Sequence, residues 1–401
     1  MAKKMPDSAE HIDPKELIRL SQELIRIPSV FHNEEKLGRF IHGKLESWGF
    51  DPKYVPVKDF GPDVVCEVGP PKAPSVVFNG HMDTVEVMDG WKHEPFGAKI
   101  ENGMLYGLGA LDMKCGIASM MLAFRALSQT AAAKHTRFMF QAVTGEEDTG
   151  YGTWELVNSG AFKGARAAIV GEGFSGLRAI TMGRRGSSYF DINIRGKAAH
   201  GAKPEKGISA IACASRMIAA LDAMPMRSSK TMTGDDFSPL KESQTVLKIR
   251  GGSDSLSVPE HCYVYLVSYT LPGTRNTKER DLRQVIHSLK LKCKVDLKMK
   301  TGVHLYHPYQ TPEDSALVTA AANALEKETG ARPRLMLGLS EADDNIIAHE
   351  TGIPVICFGP GESGQLARYH QPEEAVSISQ LAPAARAYVS TALSLADRIG
   401  A

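Results

Sequence analysis

Three short apolar runs, each followed by glycine and an ionisable residue, constrain the fold of this chain most strongly. The runs are Ser75–Phe78, Arg137–Val143 and Ala165–Val170. Apolar runs of this length that end at turn residues are typical of buried strands. Helical patterns alternate with them, which predicts an α/β sheet that helices cover on both faces. Because active sites of open α/β sheets collect at the carboxyl ends of the strands, we expect a functional site there.

The residues that follow these runs are of the types that bind metals and transfer protons. His81 and Asp83 stand two apart after the first run, so both side chains point to one face if the chain stays extended. The imidazole can then bind a metal while the carboxylate holds its second ring nitrogen. Glu146 and Glu147 follow the second run. Neighbouring residues at a strand end diverge, so one carboxylate can bind metal while the other takes a proton from water. Glu172 follows the third run.

A different pattern begins at Gly186 and predicts an inserted domain. Its elements follow the order β-α-β-β-α-β, which is the ferredoxin-like order. The predicted elements are Ser187–Arg195, Gly207–Met224, Gln244–Arg250, Cys262–Thr270, Lys278–Leu289 and Cys293–Lys300. The run Val355–Phe358 then resumes the style of the first domain. We therefore predict a catalytic domain formed by residues 1–184 and 303–401, with a lid domain at 185–302.

Charge balance and the lengths of the apolar runs argue against several classes of protein. Lys and Arg number 47 against 46 Asp and Glu, which argues against a nucleic-acid or membrane-surface role driven by net charge. No apolar run approaches the ~20 residues that span a bilayer, and the first residues lack the apolar core of a signal peptide. We therefore expect a cytoplasmic protein that binds neither nucleic acid nor membrane. The six cysteines are scattered without a C-x-x-C pair, so we expect free thiols.

Five side chains form a candidate metal-binding set. They are His81, Asp112, Glu147, Glu172 and His370. Two imidazoles and three carboxylates suit Zn²⁺, with Co²⁺ or Mn²⁺ as substitutes. If one carboxylate is shared, each of two ions keeps one histidine and one further carboxylate. Such a pair, ~3.5–4 Å apart, can hold a bridging hydroxide and polarise a carbonyl. Glu146 would then take the proton from the water and return it to the leaving nitrogen.

Several motifs of this chain occur together in one known family. They are Gly80-His81-Met-Asp83, Trp91 with Pro95-Phe96, Gly107-Leu-Gly109-Ala-Leu-Asp112-Met-Lys114, Gly145-Glu146-Glu147, Gly359-Pro-Gly361 and His370-x-x-x-Glu374. They follow one another over nearly the whole chain. With them the chain resembles the di-zinc metallopeptidase and amidohydrolase family of aminoacylase, carboxypeptidase G, acetylornithine deacetylase and succinyl-diaminopimelate desuccinylase. The resemblance implies a zinc-exopeptidase-like catalytic domain with a central mixed sheet covered by helices. The inserted ferredoxin-like α+β domain would serve as lid and dimerisation domain.

The resemblance also implies a role for each metal-binding residue. Asp112 would bridge two divalent metal ions, most often zinc in the family. His81 and Glu172 would complete one metal site, and Glu147 and His370 would complete the other. A cis peptide bond after Asp112 is also implied.

Three further residues receive roles from the same resemblance. Glu146 would be the general base, and Asp83 would orient the metal-binding histidine of the first strand. His200 in the lid would reach the active site of the other subunit of a homodimer. There it could donate a hydrogen bond to the developing oxyanion.

The chain departs from the family pattern at positions that concern the substrate. Leu256 stands where relatives usually have Asn, Glu341 stands where Asp is usual, and the Asp-x-Arg that commonly precedes Pro272-Gly273 is absent. Arg184 and Arg185 could bind a substrate carboxylate or could form a solvated hinge pair.

The expected activity is metal-dependent hydrolysis of an amide bond in an N-acyl amino acid or a dipeptide-like small substrate. One alternative is hydrolysis of another C–N bond, such as a carbamoyl or aryl amine group. A second alternative is a catalytically silent binding homologue, which would hold no metal and cleave none of these compounds.

Overall fold

The described residues form two compact units. A computed structural model describes residues 11–173, 176–234, 238–252, 254–300, 306–361 and 369–399. The first unit contains the chain up to Gly183, then Gln310–Met336 and the chain from Ala342 onward, and the second contains Arg184–Tyr309 and Leu337–Glu341. The predicted return to the catalytic domain, at residues 302 and 303, lies outside the described residues. The domain bounds proposed from the sequence therefore stay a prediction.

The first unit is built on a mixed β-sheet. In sheet order its strands are β1 (Lys53–Val55), β2 (Asp63–Val68), β6 (Arg137–Val143), β3 (Ser75–His81), β7 (Ala165–Val170), β17 (Val355–Cys357) and β8 (Ala179–Arg184), followed by β15 (Tyr309–Gln310) and with β16 (Arg334–Gly338) beside β8. A small sheet contains β4 (Lys99–Glu101), β5 (Met104–Tyr106) and β18 (Ala375–Ser377). The helices are α1 (Pro14–Ile25), α2 (Glu35–Ser47), α3 (Cys115–Ser128), α4 (Tyr151–Ser159), α7 (Ala316–Thr329), α8 (Asp343–Thr351) and α9 (Ile378–Ile399).

The centre of this sheet matches the sequence prediction closely. β3 runs parallel to both β6 and β7, and every residue of β3 is buried. Helices α3 and α9 pack against β3, while α8 packs against β7 and β17. A strand buried on both faces needs apolar residues at successive positions, which is why these segments read as continuous apolar runs. The predicted fold class, a mixed sheet covered by helices, is confirmed.

Helix α1 shows how the local sequence determines where a helix begins and which side it buries. Pro14 occupies the first helical turn, and the carboxylate of Asp13 accepts a hydrogen bond from the backbone N–H of Lys15 at 2.9 Å. This satisfies one of the N–H groups that a helix start leaves unpaired. The helix buries Leu17 and Leu24 on one stripe, as its apolar spacing predicts.

The second unit has the predicted β-α-β-β-α-β order with one addition. Its elements are β9 (Gly186–Arg195), α5 (Ala210–Asp222), β10 (Ser228–Thr233), β11 (Pro239–Lys241), β12 (Ser243–Gly251), β13 (His261–Thr270), α6 (Arg275–Ser288) and β14 (Lys294–Met299). The antiparallel sheet has the order β12-β13-β9-β14, and β10 pairs with β11 as a separate hairpin. Apolar residues of one sheet face form a core with α5 and α6. The ferredoxin-like order of the second unit is confirmed, and the hairpin is an insertion that the sequence pattern did not reveal.

The expectation of free thiols is wrong for one pair of cysteines. Cys213 on α5 and Cys293 just before β14 form a disulfide, with their Cα atoms 6.4 Å apart. They are 80 residues apart in the chain, so the pairing becomes visible only when the fold brings α5 beside the start of β14. The other four cysteines are buried and free. Because disulfides are uncommon in reducing compartments, cysteine usage no longer supports the expected cytoplasmic location.

The described helices were compared with the requirements for a membrane-spanning helix. None of them combines the length and the apolar character that crossing a bilayer requires.

Candidate metal centre

Three neighbouring parallel strands, β3, β6 and β7, bring predicted ligands together at their carboxyl ends. His81 is the last residue of β3, while Glu147 and Glu172 lie in the loops directly after β6 and β7. His81 stands opposite Val143 in the register of β3 and β6. Parallel strands end on the same side of a sheet, so ligands that are distant in the chain become neighbours.

The carboxylate of Asp112 lies between the two histidines. Its Oδ1 is 3.0 Å from Nε2 of His81, and its Oδ2 is 3.3 Å from Nε2 of His370. Burial favours the neutral acid, but the hydrogen bonds and charges of both histidines hold the pKa of Asp112 below its usual value. Each oxygen of one carboxylate therefore faces a different imidazole.

Of the remaining two carboxylates, Glu147 lies near His370 and Glu172 lies near His81. Nε2 of His370 is 3.1 Å and 3.0 Å from the two carboxylate oxygens of Glu147. Nε2 of His81 is 4.0 Å from Oε1 of Glu172. Ligand atoms of His81, Asp112 and Glu147 all lie within 4.8 Å of one another. The geometry thus forms two groups, one around each histidine, with Asp112 common to both.

This donor set fits divalent cations. Imidazole nitrogen and carboxylate oxygen are ligands of Zn²⁺ and of similar ions. In the metal-free chain, hydrogen bonds with Asp112 and Glu147 raise the pKa of His370 to about 10. Burial lowers the pKa of His81, but hydrogen bonds with Asp112 and Asp83 raise it well above its usual value. The converging carboxylates thus favour positive charge at both histidines, which a bound metal would also supply.

Asp83 makes contacts that the sequence reasoning only partly predicts. Nδ1 of His81 is 3.0 Å from the backbone oxygen of Asp83 and 3.6 Å from its carboxylate Oδ1. The two carboxylate oxygens accept hydrogen bonds from the backbone N–H groups of Glu146 and Glu147, at 3.2 Å and 2.8 Å. One residue therefore contacts the histidine ring and also holds the turn that carries two glutamates.

The loop that carries Asp112 is held by a glutamate to which the sequence assigned no role. Glu374 is 1 % exposed, and its Oε1 accepts hydrogen bonds from the backbone N–H groups of Leu111 and Asp112, at 2.7 Å and 3.0 Å. Its Oε2 accepts one from Gly109 at 3.0 Å. Gly109 has φ 80°, a left-handed conformation that glycine adopts without strain. The peptide bond between Asp112 and Met113 is cis, as the family resemblance implies.

Two ionisable groups beside the metal-binding set have strongly altered pKa values. Burial, with the negative charges of Glu172 and Asp343 among its neighbours, raises the pKa of Glu146 well above its usual value. Burial lowers the pKa of Lys114 to about 7, and its Nζ donates to the backbone oxygen of Ile27 at 2.8 Å. The Gly-Glu-Glu motif singled out Glu146, whereas Lys114 carried no separate signal beyond its place beside Asp112.

Three residues that the sequence analysis singled out lie in the second unit: His200 and Leu256, which it placed in the lid, and Glu341, which it placed in the second part of the catalytic domain. His200 is exposed, and its Nδ1 accepts a hydrogen bond from the backbone N–H of Ala202 at 3.1 Å. A neutral His200 with this hydrogen bond carries its proton on Nε2. Leu256 is 88 % exposed. The hydroxyl of Tyr189 donates to the carboxylate of Glu341 at 2.9 Å.

The arginine pair is not a solvated hinge. Arg184 is fully buried. Arg185 donates to the backbone oxygens of Leu339 and Lys241, and its guanidinium lies 5.0 Å from the ring centre of Tyr269. Neither side chain lies free in solvent, because the second unit uses their guanidinium groups for its own hydrogen bonds.

Similarity to known proteins agrees with the sequence motifs and with the fold. The chain is 28 % identical over 391 residues to succinyl-diaminopimelate desuccinylase of Hydrogenovibrio crunogenus, with 95 % of this chain and 99 % of the relative covered. Its fold is similar to that of aminopeptidase PepT from Bacillus cereus, with a TM-score of 0.78 and 22 % identity over 96 % and 99 % of the two chains. A dinuclear metal binding peptidase of Bacillus subtilis matches with a TM-score of 0.72 and 16 % identity over 96 % and 98 %.

The family match spans the predicted site. The model of Peptidase family M20/M25/M40 matches residues 77–394, a range that includes each of the five candidate ligands. This coverage confirms the resemblance that the sequence motifs carry. The protein therefore belongs to peptidase family M20/M25/M40 and is a metal-dependent hydrolase of amide bonds.

Proposed function

We propose that this protein cleaves the amide bond of an N-acyl amino acid or a dipeptide-like small substrate, with two divalent metal ions per chain. The observation that carries the proposal is the position of Asp112, whose two oxygens face His81 and His370 separately. One ion would be held by His81, Asp112 and Glu172, and the other by Asp112, Glu147 and His370. Zn²⁺ suits this donor set best, and Co²⁺ or Mn²⁺ can replace it. Bound ions of this kind polarise a carbonyl and make a water molecule more acidic.

Glu146 is the proposed general base. Its backbone N–H donates to Asp83, so its position is tied to the residue that also contacts the ring of His81. Its raised pKa brings a carboxyl group closer to the pH at which it can both accept and return a proton. Glu146 would take a proton from the attacking water and donate it to the leaving nitrogen.

The proposal is tested by a hydrolysis screen with purified, zinc-loaded protein. The panel contains N-succinyl and N-acetyl amino acids, dipeptides and tripeptides, and the readout is the released amine. The named relatives motivate the panel, because one is a desuccinylase and one structural neighbour is an aminopeptidase. We expect turnover of at least one class. Zinc-loaded protein that cleaves none of these substrates would contradict the proposed substrate class.

A second candidate is hydrolysis of another C–N bond, in a carbamoyl or aryl amine compound. It is favoured by Leu256, an 88 % exposed apolar side chain where an amide is usual in the family. The hydrogen bonds of Arg185 within its own unit also leave it less able to bind a substrate carboxylate. Adding carbamoyl amino acids and aryl amides to the panel separates the two candidates.

Glu374 is proposed to position the loop that carries Asp112. Replacing it with Gln keeps the shape and one acceptor oxygen but turns an amide N–H₂ toward at least one backbone N–H that needs an acceptor, that of Gly109 if the amide oxygen stays with Leu111 and Asp112. We expect metal affinity to fall by about 10- to 100-fold, the usual cost of losing a residue that orients a ligand. Competition with a chelating dye measures it. The control is Glu46→Gln, since Glu46 is an exposed glutamate on α2. Equal metal affinity in both variants would contradict the positioning role.

The protein is also proposed to form a homodimer through its second unit. Strand β12 lies at the edge of its sheet, and Leu247 and Ile249 on it are 55 % and 51 % exposed. An exposed apolar edge strand is a ready pairing surface, and a two-fold interface would cover the same strand on both chains. His200 of each chain would then serve the active site of the other, with Nε2–H as the donor.

Mixing two inactive variants tests this arrangement. His200→Ala and Glu146→Gln homodimers should each be nearly inactive. A mixed dimer contains one site with both Glu146 and His200 intact, so we expect part of the activity to return after subunit exchange. Exchange is verified with differently tagged chains. An inactive mixed dimer, or a monomer in light scattering, would contradict the proposal.

A further inference from the structure

The Trp-Pro-Phe motif of the sequence, at residues 91–96, supplies none of the predicted metal ligands. It nevertheless contacts the turn that carries one of them. Nδ1 of His93, within this motif, is 2.7 Å from Oε2 of Glu373. Glu373 stands three residues after His370 and directly before Glu374. The contact therefore joins two parts of the family pattern that lie 280 residues apart in the chain.

Both carboxylate oxygens of Glu373 contact this loop. Oε1 accepts hydrogen bonds from the backbone N–H groups of Lys92 and His93, at 2.7 Å and 2.9 Å, while Oε2 meets the ring of His93. Burial opposes ionisation of Glu373, but these hydrogen bonds lower its pKa to about 2. The acceptor is therefore charged, and hydrogen bonds to a charged acceptor are stronger than neutral ones. We call the pair His93 and Glu373 the histidine clamp.

The ring of His93 is itself held by the small sheet of the first unit. Nε2 lies 3.1 Å from Oε2 of Glu101 on β4. The ring of Tyr106 on β5 stacks on the imidazole, with the ring centres 4.1 Å apart. Glu373 thus meets a ring whose position is set by two strands, and not a freely rotating surface side chain.

The turn that the histidine clamp holds has an unfavourable backbone. His370 and Glu373 have φ values of 55° and 65°, in the left-handed region that residues other than glycine seldom adopt. Such conformations persist only where surrounding contacts impose them. The side chain of His370 is 48 % exposed, whereas that of His81 is 2 % exposed. Burial in the core therefore fixes His81, while His370 depends on the contacts of its turn.

The far end of the same turn is held separately. The backbone oxygen of Glu374 accepts a hydrogen bond from the N–H of Gly107 at 3.0 Å, and Ala375 pairs with Tyr106 in the small sheet. Loss of the histidine clamp would therefore free the histidine of the turn, while the glutamate that holds the Asp112 loop keeps its place.

We propose that Glu373, held by His93, is a positioning residue for one of the two metal ions. It places Nε2 of His370 for the ion that Glu147 also binds. The ion at His81 does not depend on this turn, because His81 ends a strand that is buried throughout. This inference rests on the proposed metal centre, but it requires only that His370 binds a metal.

The zinc affinity of Glu373→Ala, measured by competition with a chelating dye, tests the proposal. We expect one ion to bind at least about tenfold more weakly, the lower end of the range for residues that orient a ligand, and the other ion to bind as before. Glu373→Gln should restore most of the affinity. Its amide oxygen can still accept from the backbone of residues 92 and 93, and its N–H₂ can donate to a neutral His93 ring.

Glu94→Ala is the matched control, since Glu94 is an exposed glutamate in the same loop as His93. Equal zinc affinity in Glu94→Ala and Glu373→Ala would overturn the proposal. Equal losses in Glu373→Ala and Glu373→Gln would also overturn it, because the charge of the carboxylate would then matter and its hydrogen bonds would not.

Two further backgrounds show through which ligand Glu373 acts. In a His370→Ala chain, adding Glu373→Ala should cause no further loss of zinc affinity. In a His81→Ala chain, which keeps the ligands of the other ion, the same substitution should still weaken binding about tenfold. A further loss in the His370→Ala chain would contradict the positioning role, because Glu373 would then act through the fold in general.

These measurements separate the histidine clamp from the proposed pair of ions. If the unmodified protein bound a single ion, the pair would be ruled out, whereas the dependence of Glu373→Ala on His370 would still decide the role of the clamp. Folding of each variant is checked by circular dichroism and by thermal unfolding of the metal-free form. His93→Ala, which leaves the carboxylate in place, is the second variant and should show the same dependence on His370. Unchanged zinc affinity in both His93→Ala and Glu373→Ala would end the proposal.

Discussion

Replacing Glu146 with Gln should lower kcat by about 10²- to 10⁴-fold, the usual contribution of general acid–base catalysis. Gln has nearly the same shape as Glu but cannot accept and return a proton. The backbone N–H of residue 146 would still donate to Asp83, so the turn should keep its position. Metal content, measured by mass spectrometry, should therefore equal that of the unmodified protein.

The neighbouring glutamate supplies the matched control. Glu147→Gln should lower metal affinity, because the two oxygens of Glu147 lie 3.1 Å and 3.0 Å from Nε2 of His370. The two variants thus separate loss of proton transfer from loss of metal. If Glu146→Gln kept its kcat, or lost metal as Glu147→Gln does, the assigned roles would be wrong.

Removal of the metal ions should abolish activity and lower thermal stability. Metals bind the folded chain, so their loss removes the stabilisation that binding supplies. Dialysis against a chelator, followed by assay and by thermal unfolding, measures both effects. Zinc added back should restore activity as site occupancy approaches two ions per chain. Full activity in protein shown to be metal-free would rule out the proposed centre.

Metal affinity should also depend on pH in a defined direction. In the metal-free chain the pKa of His370 is raised to about 10, so this ring is protonated near neutral pH, and the pKa of His81 is raised in the same direction. A metal must displace these protons before it can bind. Affinity should therefore fall as pH is lowered below about 10, by about tenfold per pH unit for each proton displaced. Chelator competition at several pH values measures the slope, and a flat profile would contradict it.

The fold was predictable from the sequence where a single strand is marked by an unbroken apolar run. The apolar runs Arg137–Val143 and Ala165–Val170 coincide with β6 and β7, because strands buried on both faces need unbroken apolar sequence. The predicted ligands His81, Glu147 and Glu172 lie close together because each stands at the carboxyl end of one of three neighbouring parallel strands, β3, β6 and β7.

The contacts that were missed join residues far apart in the chain. The three hydrogen bonds from the Asp112 loop to Glu374 and the disulfide between Cys213 and Cys293 have no periodic pattern in the sequence. Asp83 was expected to hold a histidine, but its carboxylate also accepts two backbone hydrogen bonds. Such geometry depends on how loops approach one another, which hydrophobic spacing does not specify.

The interrupted course of the first unit has a consequence for biosynthesis. The chain leaves this unit at Gly183 and returns at Gln310, so His81, Asp112, Glu147 and Glu172 emerge from the ribosome before the whole second unit, and His370 emerges after it. A nascent chain that ends before His370 has one histidine for the proposed pair of ions. If both proposed ions bind as inferred, loading of the pair would wait until synthesis is nearly complete. With the proposed ligand set, double occupancy would report that the two separated parts of the first unit have joined.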